Sequence, residues 1–463
     1  MGFFLTLAAF VASWRYGRRS LGAGMAVVLT AGYFYGIVRA NFQDTFAAFV
    51  FDAAVFGLYL ARFTLPNALA PQHANGLTAW TWVLIGWPFL MLALGAGLFP
   101  QHVLIQLVGL RAAIWFLPIL LLGASARSED LTMVARTLAV LNLVALVFAA
   151  GEYFLGVERF YPRNAFTSMI YRSKDVAGGV HRIPAIFPNS ATFGETMVAT
   201  VPWLVGGWQR LTKSFIERWL FIVALLAAAL GTFLCGSRMP VVRLIVLVTF
   251  LAYLFRDRMR HLFPVLGIAM LVGFAVSGST RLQRFTTLQD TDYVAGRIEM
   301  SINVGIMDLL SEYPLGAGLG SAFGTSIPSF LMHLVDQPAI GAEMEFARIG
   351  LEQGLLGLTI WLAFLLWFAV HRCADQSPDW KLGCKLMFMH TILTWGSGLI
   401  GCGILTTIPV TGMLLFQMGL LARDRPLPFQ VRQPARRNID STLRRRDTMP
   451  LPQRDNKPCL FPG

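Results

Sequence analysis

The chain has 463 residues, of which 56% are hydrophobic and only 14% charged, with a mean hydropathy of +0.59. A soluble globular protein carries roughly 25% charged residues, so these figures exclude that class and predict an all-α polytopic membrane protein. The formal net charge of +13 sits mostly in short connections and in the C-terminal tail. There it reports orientation and contact with anionic lipid, not nucleic-acid binding.

Apolar runs near the ~20 residues that a crossing helix needs occur at 2–14, 21–40, 46–61, 79–98, 102–124, 132–155, 187–208, 219–235, 239–255, 262–278, 346–370, 384–402 and 404–422. The first is short. It lacks a basic leader and is followed by Arg15, Arg18 and Arg19, so it reads as a first span or a short anchor and not as a cleavable signal. If it crosses, there are thirteen spans with the N-terminus outside and the C-terminus inside. If it lies flat, there are twelve. Basic clusters at Arg15–Arg19, Arg210–Arg218, Arg256–His261 and Arg423–Arg425 then all fall on the cytoplasmic side, where juxtamembrane Lys and Arg are retained.

Four segments follow from this ladder. Residues 1–185 carry the N-terminal spans and a first external loop from about Gly156 to Ala185. Residues 186–370 form a core that includes a long external loop, 279–344. Residues 371–422 hold the last spans, and 423–463 form a basic tail, rich in Pro, Arg, Asn, Asp and Gln, that is expected to be disordered and cytoplasmic. Within the long loop, Ile298, Ile302, Ile306, Leu309 and Leu310 recur at helical spacing. That pattern predicts an interfacial helix over 296–312, broken by the Gly-rich stretch Tyr313–Gly320. No internal repeat is present, which disfavours an inverted-repeat transporter.

Three arginines, Arg182, Arg238 and Arg297, sit at the outward ends of their segments, against the charge rule. Asp52, Arg111, Glu195 and Arg243 each lie within an apolar run, in its outer or central part. Such groups are costly in lipid, and they either pair as structural bridges or line a polar pocket. The five cysteines are scattered without a CxxC, giving neither a disulfide frame nor a metal site. Asp290-Thr291-Asp292 resembles a metal-binding DxD but lies on the wrong side for a cytosolic nucleotide-sugar. The run Gly316, Gly318, Gly320 lacks the Lys-Ser/Thr of a P-loop.

The order of short motifs resembles the O-antigen ligase and O-antigen (exopolysaccharide) polymerase family. Gly236-Ser237-Arg238 resembles the "SR" that opens that family's core. Gly296-Arg297-Ile298-Glu299 with Glu312-Tyr313-Pro314-Leu315-Gly316-Ala317-Gly318 resembles its "GR…PLxGxG" element. Leu351-Glu352-Gln353-Gly354-Leu355-Leu356-Gly357 resembles its "ExGxxG", and Arg182–Asn189 its upstream "R…F.NPN". The resemblance covers roughly 180–360.

It implies a membrane glycosyltransferase that needs no cofactor or metal. A glycan would pass from a polyprenyl-diphosphate-linked oligosaccharide to a hydroxyl of a lipid or glycan acceptor, at the outer face of the bacterial inner membrane. By position, Arg182, Arg238 and Arg297 then bind the diphosphate, whose charge grows as it leaves and which arginine forks bind bidentately. The alternative is that each arginine snorkels to headgroups. The chain departs from the family where ligases carry the His taken as catalytic base. Glu343 stands at that position and Glu345 two residues on, with His333 as a further base candidate. That departure leans toward a polymerase-like member. The competing class is a transporter or flippase for lipid-linked oligosaccharide, which would show a basic path through the bilayer centre.

Overall fold

A computed structural model describes residues 1–42, 44–64, 75–98, 101–164, 166–168, 170–171, 181–210, 215–254, 267, 306–322, 327, 329–334, 344–371 and 378–423. These form helices with no β-strand among them. Arg297, Glu343, Asp290–Asp292, the run 262–278 apart from residue 267, and the tail from residue 424 lie outside the described residues.

In chain order the helices are α1 (Gly2–Arg19), α2 (Leu21–Tyr33), α3 (Tyr35–Asn41), α4 (Val50–Phe63), α5 (Asn75–Leu98), α6 (Val103–Ile114), α7 (Ile119–Ser125) and α8 (Ser128–Leu155). They continue with α9 (Ser190–Arg210), α10 (Phe215–Leu234), α11 (Arg238–Leu254), α12 (Ile306–Glu312), α13 (Glu345–Val370), α14 (Lys381–Ser397) and α15 (Val410–Leu421). By length and composition, six helical stretches can cross a membrane: Thr45–Phe63, Gly76–Gly95, Val103–Ser125, Ser128–Leu155, Phe215–Leu234 and Glu345–Val370. A seventh is the pair α2 and α3, bent by 46°. The protein is therefore a multi-pass membrane protein. The expected interfacial helix is described only over Ile306–Glu312.

Several apolar runs expected as single spans are interrupted. The run 102–124 remains one candidate span, Val103–Ser125, but its α-helical bonding is interrupted at Trp115–Pro118, between α6 and α7, because Pro118 cannot donate to the preceding turn. The run 384–402 ends as a helix at Ser397, and residues 398–409 are irregular before α15. Irregular backbone at membrane depth is tolerated only where protein or a cavity satisfies it.

Close backbone approach holds the bundle together, as expected where lipid supplies no hydrophobic drive between helices. A Cβ on Gly419 of α15 would lie 1.9 Å from the Leu120 carbonyl oxygen of α7, and one on Gly123 only 2.1 Å from that of Phe416. The two helices thus touch backbone to backbone. Elsewhere buried polar groups tie helices: Gly22 N–H donates to Asp130 Oδ1 at 2.7 Å, joining α2 to α8. Tyr33 donates to Asn142 at 2.7 Å and Asn142 to Thr200 at 2.8 Å, joining α2, α8 and α9.

Candidate functional site

The site is assembled at one end of the bundle, where α8 ends, α9 begins, α10 turns into α11, and α13 begins. Cys235, Gly236 and Ser237 make the α10–α11 turn, with Gly236 at φ +65. Cys235 is sealed beneath α9: a Cβ on Gly194 would stand 2.5 Å from its sulfur. Ser237 N–H reaches the same sulfur at 3.3 Å, so the turn that delivers Arg238 is fixed from below.

Arg182 comes to this turn from a separate segment. A Cβ on Gly236 would lie 3.9 Å from Arg182 Cγ, so the Arg182 stem runs over the glycine two residues before Arg238. Both arginines are half-buried. Two of the three arginines singled out in the sequence are thus brought to one turn, and the third, Arg297, lies outside the described residues.

About one and a half turns further along α11, Arg243 pairs with Glu195 of α9 and donates to the Ser397 hydroxyl of α14. Ser397 passes a hydrogen bond to the Thr394 carbonyl at 2.7 Å. Between two other helices, Arg111 of α6 grips Asp52 of α4, with Nε to Oδ1 at 3.0 Å and a second nitrogen to Oδ2 at 2.5 Å. Asp52, Arg111, Glu195 and Arg243 therefore form two interhelical ion pairs. A buried charge in a low-dielectric interior needs such a partner, since an isolated one is costly.

The carboxylate candidates separate sharply. Glu345 is fully buried in the first turn of α13. One oxygen accepts from Arg348 at 2.5 Å, and the other accepts the Gly403 and Ile404 amides at 2.6 and 3.1 Å. Its own N–H donates to Gly398 and Gly401. Arg348, also buried, donates its other arm to Glu352 at 3.0 Å. Glu345 is thus committed to anchoring the irregular segment after α14. His333 lies exposed in a short 3-10 helix, Ser329–Leu334.

Beside this triad α13 is broken. Gly354 has φ +71 and ψ −178 inside the helix, so helical bonds are lost around it. The Gly-rich segment after α12 fills the break. Ala317 N–H donates to the freed Leu351 carbonyl at 2.7 Å, Leu355 N–H donates to the Pro314 carbonyl at 3.0 Å, and the Trp87 indole donates to the Gln353 carbonyl at 3.0 Å. A Cβ on Gly316 would fall 2.8 Å from Gly354 N. The two glycine-bearing motifs are therefore one structural unit. An apolar cleft lined by Trp87, Met91, Pro314, Leu315, Gln353 and Leu356 opens beside it. No lining residue of that cleft is among the candidate charges, so we weight the arginine turn above it.

Sequence reasoning passed over two buried polar groups. Glu152, fully buried in the last turn of α8, accepts the Ala185 amide at 2.9 Å. His390 of α14 contacts Gln417 of α15 at 2.9 Å, and Gln417 donates to Thr391 at 3.0 Å. The rule that flagged Asp52 and Glu195, a carboxylate inside an apolar run, also selects Glu152. Among the described residues no group of three or more His, Cys, Asp and Glu side chains is placed to hold a metal ion. No protein-family model and no curated protein matches this chain.

Proposed function

We propose that the protein is a membrane glycosyltransferase of the O-antigen ligase or polymerase type. It transfers a glycan from a polyprenyl-diphosphate carrier to an acceptor hydroxyl at the outer face of a bacterial inner membrane. The observation that carries this reading is that the Arg182 stem lies over Gly236 in the α10–α11 turn, two residues before Arg238. Two half-buried guanidiniums from distant parts of the chain suit a diphosphate, whose leaving-group charge they stabilise bidentately. Arg297 is proposed as the third ligand.

In this reading the chain makes twelve or thirteen spans, with the arginine turn and residues 279–344 outside and the C-terminus in the cytoplasm. Because Glu345 is occupied in the Arg348 triad, the carboxylate assigned to take the acceptor proton is Glu343, with His333 as the other base candidate. A positioned carboxylate contributes typically 10²–10⁴-fold as a general base.

One observation favours the second reading, a transporter or flippase for lipid-linked oligosaccharide. The break in α13 is the kind of discontinuous helix that transporters use around a site. Against it, Arg111, Arg243 and Arg348, the arginines within the bundle named above, each bond a carboxylate. Among the described residues these three therefore supply no open basic path of the kind a diphosphate would follow. The deciding experiment incubates purified protein with a lipid-linked repeat unit and sizes the products. Longer glycans, or glycan joined to an acceptor, support transfer. Unchanged material that moves between the leaflets of a vesicle overturns it.

A further inference from the structure

Arg182 opens a segment whose backbone is held more firmly than a plain connector requires. Three residues on, Ala185 has φ +52, and it is the only residue other than glycine with positive φ among the described residues. An alanine in the left-handed region is strained, and such strain persists only where the surroundings over-determine it. The restraints come from three elements. Glu152 of α8 accepts the Ala185 N–H at 2.9 Å. The Tyr161 hydroxyl donates to the Ala185 and Phe187 carbonyls, 2.8 Å from each. Ile37 N–H of α3 donates to the Ile186 carbonyl at 3.1 Å. Gly36 then lies so close that a Cβ there would stand 2.0 Å from the Phe187 carbonyl carbon.

Glu152 is the unusual member. It is fully buried, and its second oxygen finds no hydrogen-bond partner among the described residues. Burying a carboxyl group to hold one amide is costly, because the group loses its hydration for a single bond. An apolar side chain or a plain turn would close the same connection without burying a polar group. We infer that Glu152, together with Tyr161, is a positioning residue. It locks the strained Ala185 turn so that the Arg182 side chain is preset against Gly236, beside Arg238, before a diphosphate arrives. Preset geometry of this kind lowers the ordering cost of binding. This rests on the reading of Arg182 as a diphosphate ligand.

The test measures binding of geranyl diphosphate to the full-length protein in detergent, for wild type, Glu152→Leu, Glu152→Gln, Tyr161→Phe, Arg182→Ala and the Glu152→Leu/Arg182→Ala double variant. Glu152→Leu should weaken binding about 10-fold, the share of one buried hydrogen bond whose amide is left unsatisfied. Glu152→Gln, which still accepts the Ala185 amide, should recover most of it. The double variant should bind no worse than Arg182→Ala, since residues acting through one another are not additive. If Glu152→Leu does not stay monodisperse, Tyr161→Phe with Arg182→Ala provides the same cycle from the other side of the turn. Full additivity, or wild-type binding in both Glu152→Leu and Tyr161→Phe, overturns the inference. Wild-type binding in Arg182→Ala instead overturns the diphosphate reading itself.

Discussion

Arg348 donates to Glu345 across 2.5 Å with both side chains sealed from solvent. The contact spans one helical turn, yet its consequence is long-range, since Glu345 also collects the Gly403 and Ile404 amides. It fastens the start of α13 to the irregular chain between α14 and α15. A carboxylate so engaged has no free lone pair to face an acceptor hydroxyl.

Glu345 and Glu343 should therefore fail in different ways. Glu345→Gln loses charge-assisted bonds and should lower stability by about 1.5–3 kcal/mol, read as a lower melting temperature in detergent. Arg348→Met leaves two buried carboxylates facing each other and should cost more, about 3–5 kcal/mol. Glu343→Gln should melt like wild type while losing about 10²–10⁴-fold in turnover. A full-rate Glu343→Gln variant would return attention to His333.

Arginine geometry, and not charge alone, is what the α10–α11 turn is proposed to supply. Arg238→Lys and Arg297→Lys should insert and accumulate normally but lose roughly 1–3 kcal/mol of transition-state stabilisation, because lysine lacks the planar fork. Product sizing at saturating donor checks this. Near-wild-type rates in both would reduce them to headgroup anchors.

The break in α13 depends on Gly354. Gly354→Ala places a Cβ 2.6 Å from the Leu315 carbonyl carbon while holding φ at +71. The strain exceeds the ~1 kcal/mol usual for a left-handed alanine, so the 313–321 segment must shift. Faster proteolysis between Tyr313 and Ala322, with α1–α9 unaffected, is the expected result. Unchanged cleavage would show that the motif does not depend on this docking.

Orientation can be read from a native residue. Cys402 is exposed and follows the end of α14 that meets Glu345, so the proposed topology puts it outside. In intact cells it should react with an impermeant thiol reagent, and Cys402→Ser should abolish the labelling. A cysteine at Asp379, exposed at the opposite end of α14, should stay unlabelled until the cells are opened. The reverse pattern would invert the proposed sidedness of every candidate residue.

Membrane class and the positions of most helices were legible in the sequence because they depend on local composition. A run such as 132–155 must satisfy its backbone internally in lipid, so it becomes helix wherever it packs. Arg182 and Arg238 stood out for an equally local reason, being arginines at segment ends that the charge pattern expects to face outward. What no local pattern could supply was pairing at a distance. That Asp52 belongs to Arg111 and Glu195 to Arg243, that Arg182 lies over Gly236, and that Glu345 serves Arg348 and the 403–404 amides are decided by which helices touch. The same holds for the Gly-rich run after α12, which in the sequence is only the break that ends a helix and in the fold supplies the hydrogen bonds missing around Gly354. A buried polar group takes whatever partner the packing brings within about 3 Å, and only the folded chain determines which one that is.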